Sequence, residues 1–301
     1  MGNNYCVVCE QEMQIGYTEW HFRCSTCKYE SSNLRSTINQ SPSLNYDEDD
    51  RLTGLKKLRY RNFEKLYEVL KDIKPSGGRL LEVGCGHGWF MSIVKQHFKA
   101  VGIEPDIIYD HTDSGYEFRK GYYPYALESE ETFEIIVFND VLEHLDDLDA
   151  IIHTTYRYLN HDGVVLVNIP ISTGLFYKLS KILWGLGKSK YFERMWQKNL
   201  PSPHIHYFNK ENLCRLFSKY KFQVIRSGTL ETILIKGLYQ RISWAGNLST
   251  LTRSVIYCIL IGMIPLIKFL PSDIMYVVFK KSDDSFGGTG PEPNLLPTVY
   301  P

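Results

Sequence analysis

Arg79-Leu80-Leu81-Glu82-Val83-Gly84-Cys85-Gly86-His87-Gly88-Trp89-Phe90 decides the fold. An apolar run feeds one acidic residue, then glycines at alternate positions, then a helix-compatible stretch. This reads as a buried strand, a tight loop bare of side chains, and a helix start. Such a loop lets a ligand lie against the main chain while free N–H groups face its polar end. The spacing is G-x-G-x-G. A G-x-G-x-x-G dinucleotide fingerprint would need its third glycine at Trp89.

The segments that follow keep the same register. Ala100-Val101-Gly102-Ile103-Glu104-Pro105 is a second apolar run ending in a carboxylate, the position from which a ribose diol is held in sheets of this kind. Phe133 to Asn139 is a third strand, breaking into the polar turn Asp140-Val141-Leu142-Glu143-His144-Leu145. A helix is expected from about Asp146 to Leu159, stopped by Asn160-His161-Asp162-Gly163, and then an apolar strand over Val164–Pro170.

In their order and wording, these segments resemble a class I S-adenosylmethionine-dependent methyltransferase. They are most similar to the branch that holds the ubiquinone-biosynthesis O-methyltransferases, over roughly residues 55–281. The resemblance implies an α/β fold, a doubly wound seven-stranded Rossmann-like sheet. It implies that Glu82 and the Gly84, Cys85, Gly86, Gly88 loop hold the methionine part of the cofactor, through main chain rather than thiol at Cys85. Glu104 would take the ribose hydroxyls, Asn139 would border the methionine moiety, and Tyr122, beside Gly121, would border the adenine. A plain strand-to-helix turn without ligand is the alternative for the glycine loop.

The acceptor side is read less directly. His144 follows the third of these strands into the cleft mouth, and His204-Ile205-His206-Tyr207-Phe208 repeats a motif of the same branch. Histidine suits proton removal near neutral pH, so His144, His204 and His206 are the candidate catalytic groups. Packing or capping histidines are the alternative. The branch carries Glu-x-x-Glu-His where this chain has Asp140-x-x-Glu143-His144. A divalent cation there competes with a hydrogen-bonded turn.

Cys6/Cys9 and Cys24/Cys27 are two C-x-x-C pairs with fourteen residues between them. Together they can give four thiolates to one tetrahedral Zn²⁺, a closed and therefore structural site. Residues 1–32 are expected to be this zinc ribbon, 33–54 a linker and 55–281 the methyltransferase domain. The domain carries a lid insertion at 171–203 and an apolar insertion at 240–271. The Gly/Pro-rich tail 282–301 is expected to be disordered. The lid alternates aromatics (Phe176, Tyr177, Trp184, Tyr191, Phe192, Trp196) with Lys178, Lys181, Lys188, Lys190 and Arg194. It reads either as a substrate platform or as core.

Lys+Arg and Asp+Glu are equal at 34 each, so there is no basic field for nucleic acid. No basic-then-apolar leader opens the chain, which predicts a cytoplasmic protein, peripheral at most to the inner face of a membrane. Val255–Ile267 is uncharged over thirteen residues, short of the ~20 needed to span a bilayer. Three readings stand for 251–270: a helix docked on the protein, a surface-lying membrane anchor, or an oligomer contact. The function expected is O-methylation of a small-molecule, glycan or lipid-linked acceptor. N- or C-methylation is the nearer alternative. The further one is a cofactor-binding scaffold that docks a partner through its ribbon.

Overall fold

The computed structural model describes residues 5–36, 48–105, 114–234, 238–243, 249–267 and 270–282. Half of the expected linker and nearly all of the expected tail lie outside that set. Three short strands come first, β1 (Gln14–Ile15), β2 (His21–Arg23) and β3 (Glu30–Ser32). The helix α1 (Glu48–Ile73) starts inside the segment expected to be linker. Then follow β4 (Arg79–Val83), α2 (Trp89–Val94), β5 (Lys99–Glu104), β6 (Glu117–Lys120) and β7 (Phe133–Asn139). A single 3-10 turn at Leu142–His144 leads to α3 (Leu148–Tyr158) and β8 (Leu159–Pro170). The rest is α4 (Leu175–Gly185), α5 (Ser189–Met195), β9 (His206–Tyr207), α6 (Lys210–Ser218), β10 (Phe222–Thr229), α7 (Leu238–Ser243), α8 (Thr250–Ile267) and β11 (Ile274–Lys281).

Seven strands form one sheet in the order β10-β11-β8-β7-β4-β5-β6. The five from β8 to β6 are parallel, and β11 and β10 close one side antiparallel. Strand alternation sends Leu81, Val101, Ile136 and Val165 to one apolar cluster and Leu80, Ala100, Ile135 and Val164 to another. Helices cover both faces, which is why these strands read as near-continuous apolar runs. Leu66 and Leu70 of α1 and Phe90 and Met91 of α2 pack on one face; Ile151 of α3 and Leu213, Leu216 and Phe217 of α6 pack on the other. Asn160–Gly163, the expected stop, sits within β8 as a bulge: Leu159 pairs with Phe133 and Val164 with Ile135.

The cysteine-bearing segment shares its sheet with a distant part of the chain. Strand β9, from the distant His-x-His-Tyr-Phe motif, completes its sheet in the order β1-β2-β3-β9, with Glu30 opposite Tyr207 and Ser31 opposite His206. Cys6, Val8, Met13, Cys24 and Tyr29 belong to the same apolar cluster as Leu81 and Phe208.

The lid aromatics face this junction. Tyr177, Phe192 and Trp196 are buried with Trp20 and Tyr207, so of the two readings the packed core holds for them. The buried carboxylate Glu30 fastens the joint, accepting hydrogen bonds from Tyr177 Oη at 2.8 Å, His21 Nε2 at 2.9 Å and the Lys181 ammonium.

Helix α8 packs on α7, where Tyr239 meets Tyr257, and α7 packs on α1. Its outer stripe stays open, with Leu251 77%, Val255 50% and Ile259 54% exposed. Among the described residues no helix is long and apolar enough to cross a membrane.

Candidate active site

The bare loop after β4 is held open by its own backbone. The N–H groups of Gly84 and Cys85 both donate to the Ile103 carbonyl, at 2.8 and 3.0 Å. This turns the chain across the end of the sheet through left-handed conformations at Gly84 (φ 70°) and Gly86 (φ 47°). The two glycines serve different ends. A methyl group on Gly84 would meet Val141 Cγ2 at 2.6 Å, whereas one on Gly86 would meet nothing within 4 Å. Gly84 is a packing contact with the turn after β7; Gly86 borders open space. The Gly86 N–H donates to Glu104 Oε2 at 2.9 Å, which fixes the carboxylate at the end of β5 beside the loop. The Gly121 N–H donates to the Glu104 carbonyl at 3.1 Å, which brings Tyr122 to the same end of the sheet.

Glu82 is 2% exposed and accepts from Asn139 Nδ2 at 2.8 Å; its second oxygen, Oε2, is buried with no hydrogen-bond partner. Burial pushes this carboxyl up to about 8, against the opposing pull of Asn139. Asn168 on β8, opposite Asn139, donates to Asn139 Oδ1 at 3.4 Å. The Cys85 thiol points to the interior, against Gly102, and burial drives it far above the usual thiol range.

The turn after β7 forms the other wall. Asp140 takes a left-handed conformation (φ 53°) and pairs with Arg59 of α1 at 3.2 Å. Glu143 is 1% exposed, and neither carboxylate oxygen has a hydrogen-bond partner. Burial, with Asp140 adding to it, keeps its carboxyl well above the ordinary range. His144 Nδ1 lies 2.8 Å from the Pro203 carbonyl, so that nitrogen carries the proton and Nε2 keeps its lone pair. Nε2 stands 3.9 Å from Glu143 Oε1, and burial lowers the imidazole's affinity for a second proton.

The structure adds His204 to this pair. Its ring centroid is 4.9 Å from that of His144, its Nε2 accepts from the Gln197 amide at 2.8 Å, and its Nδ1 is unpartnered. Burial, then the neighbouring His144, takes it down to about 3. Glu143, His144 and His204 offer ligand atoms within 4.8 Å of one another. The triplet expected to hold a cation was Asp140, Glu143 and His144. Asp140 pairs with Arg59, and the atoms that lie within 4.8 Å of one another are those of Glu143, His144 and His204.

His206, grouped with His144 and His204 in the sequence, is not with them here. Its Nδ1 accepts from the Tyr29 hydroxyl, and its Nε2–H donates to the Leu145 carbonyl at 2.8 Å. With both nitrogens engaged in the interior, burial takes it down to about 4.

Cys6, Cys9, Cys24 and Cys27 come together as the spacing predicts. All are free thiols, with Cys6 and Cys27 Sγ 3.5 Å apart, Cys9 and Cys24 Sγ 3.4 Å apart, and all four within 4.8 Å of one another. The two knuckles repeat one turn. The fourth residue after the leading cysteine donates back to that cysteine's carbonyl (Glu10 to Cys6 at 2.7 Å, Lys28 to Cys24 at 3.1 Å) in a left-handed conformation, φ 63° at both.

Sequence reasoning missed Arg59 and Asn168. Asn168 had a signal, a lone amide in an apolar strand two residues before Pro170. Arg59 had none, being one cation among several on α1.

A family model described as a methyltransferase domain matches residues 55–227. No curated protein matches the chain. Among solved structures, it is similar to an S-adenosylmethionine-dependent methyltransferase from Thermotoga maritima, described as a possible histamine N-methyltransferase. That pair is 18% identical over 78% of this chain and 95% of the other, with a TM-score of 0.49. It is also similar to the 1,6-didemethyltoxoflavin-N1-methyltransferase of Burkholderia thailandensis, at 10% identity over 87% of this chain and 99% of the other, with a TM-score of 0.49. The magnesium protoporphyrin IX methyltransferase of Synechocystis is 11% identical over 80% of this chain and 90% of the other, with a TM-score of 0.47.

Proposed function

The chain belongs to the methyltransferase-domain family, as an S-adenosylmethionine-dependent enzyme, and from that premise we propose that it methylates a hydroxyl of a small-molecule, glycan or lipid-linked acceptor. The observation that carries this reading is the contrast between the two walls of the cleft. One is bare main chain beside Glu82 and Glu104; the other is a neutral imidazole with its lone pair free.

The residues present fit the donor. Open space at Gly86 lets a ligand lie against the loop, and the orphaned Glu82 Oε2 is an acceptor for an ammonium group. Glu104 would take the ribose diol by charge-assisted hydrogen bonds, Asn139 would border the methionine end and Tyr122 the adenine. When bound, S-adenosylmethionine supplies the activated methyl group. The chain's own task is alignment and exclusion of water. His144 Nε2 is assigned as the group that takes the acceptor's proton, since Nδ1–H is committed to Pro203 and burial keeps the ring neutral at pH 7. His204 and His206 support that turn from behind.

A second reading of the same wall is favoured by Glu143's two unpartnered oxygens, which lie beside His144 and His204. A divalent cation would be held there by Glu143, His144 and His204 and would orient the acceptor oxygen.

Cys6, Cys9, Cys24 and Cys27 are assigned to one structural Zn²⁺. Four thiolates at ~2.3 Å from a common ion stand ~3.8 Å apart, close to the spacings of the free thiols. The open stripe Leu251, Val255 and Ile259 supports a peripheral membrane contact through α8.

The test is calorimetry with S-adenosylmethionine and its demethylated product, followed by transfer of labelled methyl into acceptor extracts. Uptake followed by alkali-stable labelling of a hydroxyl is expected. No uptake of either compound by metal-replete protein ends the enzymatic reading. Uptake without transfer into any extract favours the scaffold, and label on nitrogen or carbon redirects the acceptor class.

A further inference from the structure

The ribbon reaches the acceptor wall through an unbroken set of contacts. The second knuckle places Tyr29, whose carbonyl accepts from the Cys24 N–H at 2.8 Å. The Tyr29 hydroxyl donates to His206 Nδ1, and His206 Nε2–H donates to the Leu145 carbonyl, one residue past His144. In parallel, Ser32 N–H donates to the Ile205 carbonyl at 3.0 Å and Ser32 Oγ to the His204 carbonyl at 2.9 Å. The Ile205 N–H donates to the Glu143 carbonyl at 2.8 Å. The segment His204–Tyr207 is therefore clamped, with ribbon strand β3 on one side and the turn bearing Glu143 and His144 on the other.

Neither side of this clamp is rigid by itself. Strands β1, β2 and β3 are two or three residues long, too short to hold a register without the thiol cluster or a neighbour. The Leu142–His144 turn is a single 3-10 turn. The contacts that reach His204–His206 from the ribbon pass through β3 and Tyr29; on the other flank the His204 N–H donates to the Trp196 carbonyl at 3.0 Å and His204 Nε2 accepts from Gln197.

We propose that metal held by Cys6, Cys9, Cys24 and Cys27 organises the acceptor wall of the active site, with Tyr29 and His206 as the positioning residues of the relay. This rests on the reading of His144 as the proton acceptor and adds to it a dependence on a site at the far side of the ribbon. The donor wall lies outside the relay: Gly84, Gly86, Glu82 and Glu104 are held by β4, β5 and β7. Loss of the metal should therefore loosen one wall and spare the other.

Full-length protein loaded with zinc sulfate, stripped with a chelator and a thiol reductant, and reloaded is compared by hydrogen exchange read by mass spectrometry. Stripping is expected to speed exchange across 203–208 and 141–146 by at least ~10-fold, as for a sub-global opening. Peptides over 79–83 and 99–104 should stay protected, donor affinity should hold within ~3-fold, and zinc should restore the original pattern. Unchanged exchange at 203–208 overturns the proposal, as does loss of protection that spreads equally to β4 and β5.

Tyr29→Phe keeps the ring and the four thiols. It should retain its zinc while speeding exchange at 203–208 and 143–145 by ~5-fold, the worth of one hydrogen bond. Methyl transfer should slow with the KM for donor unchanged. A zinc-loaded Tyr29→Phe with wild-type exchange and turnover refutes the relay. Failure of donor uptake would sink the enzymatic reading and leave the exchange result standing.

Discussion

Alanine at Gly84 and alanine at Gly86 should fail in different ways, although the two glycines look alike in sequence. Both hold positive φ, at 70° and 47°, so each substitution forces an L-residue into the left-handed region at a cost of ~1–2 kcal/mol. At Gly84 a second cost is added, because the new methyl would stand 2.6 Å from Val141 Cγ2 in a packed interior. Overpacking of that kind costs ~1–3 kcal/mol, so Gly84→Ala should lose ~2–5 kcal/mol of stability. Gly86→Ala has nothing within 4 Å and should lose only the backbone part.

Donor binding should then reverse the ranking relative to stability. The Gly86 methyl occupies the space assigned to the ligand, so Gly86→Ala should fold well and bind the donor at least ~10-fold more weakly, a loss of ~1.4 kcal/mol. Urea unfolding of both variants measures the first quantity and calorimetry the second. Val141→Ala in the Gly84→Ala background should recover the overpacking component, a coupling of ~1–3 kcal/mol in a double-mutant cycle. Strict additivity of the two substitutions, or equal destabilisation at Gly84 and Gly86, would refute the assignment of the loop's two halves.

Further outcomes follow from Glu82, Glu104 and His144. Glu82 is raised to about 8 and so holds its proton at pH 7; arrival of a donor ammonium group at Oε2 should expel ~1 proton, read as a buffer-dependent binding enthalpy. The same shift means that Glu82 contributes stability below pH 4.5 that is lost as pH rises through about 8. Glu82→Gln should accordingly gain on the wild type between those limits in urea midpoints. Glu104→Gln should weaken donor binding ~10-fold while leaving the fold intact, since a charged acceptor is worth more than a neutral one. His144→Gln should lower kcat by ~10²-fold or more with donor affinity unchanged. In the wild type, turnover should fall with decreasing pH only below 6.5, because burial lowers the histidine's affinity for a second proton, and the variant should lack that limb.

Hydrophobic period and glycine placement are local signals, and they were enough for the parallel sheet and the bare loop at its end. Glu82, Gly86 and Glu104 lie within a few residues of the strand ends that position them, so their neighbourhood follows from strand, loop and strand in sequence. The thiol cluster was legible for the same reason: each knuckle is one turn, and only the pairing of two turns is long-range.

The acceptor wall was written in residues that do not announce their partners. His204 and His206 differ by two positions, yet one meets His144 and the other Tyr29. The aromatic insertion carried the same composition whether it faced ligand or core, and Trp20, far back in the ribbon, packs with Tyr177, Phe192 and Trp196 as core. Asp140 pairs with Arg59, a partner that no local pattern indicates.

By itself, then, the sequence determined the sheet, the bare loop, the carboxylate at the end of β5 and the four clustered thiols, because short-range periodicity and fixed spacing encode them. The tertiary structure alone decided that β3 pairs with β9 and which histidine stands by His144. Those choices turn on burial and on hydrogen-bond partners far away in the sequence, and no local pattern carries that information.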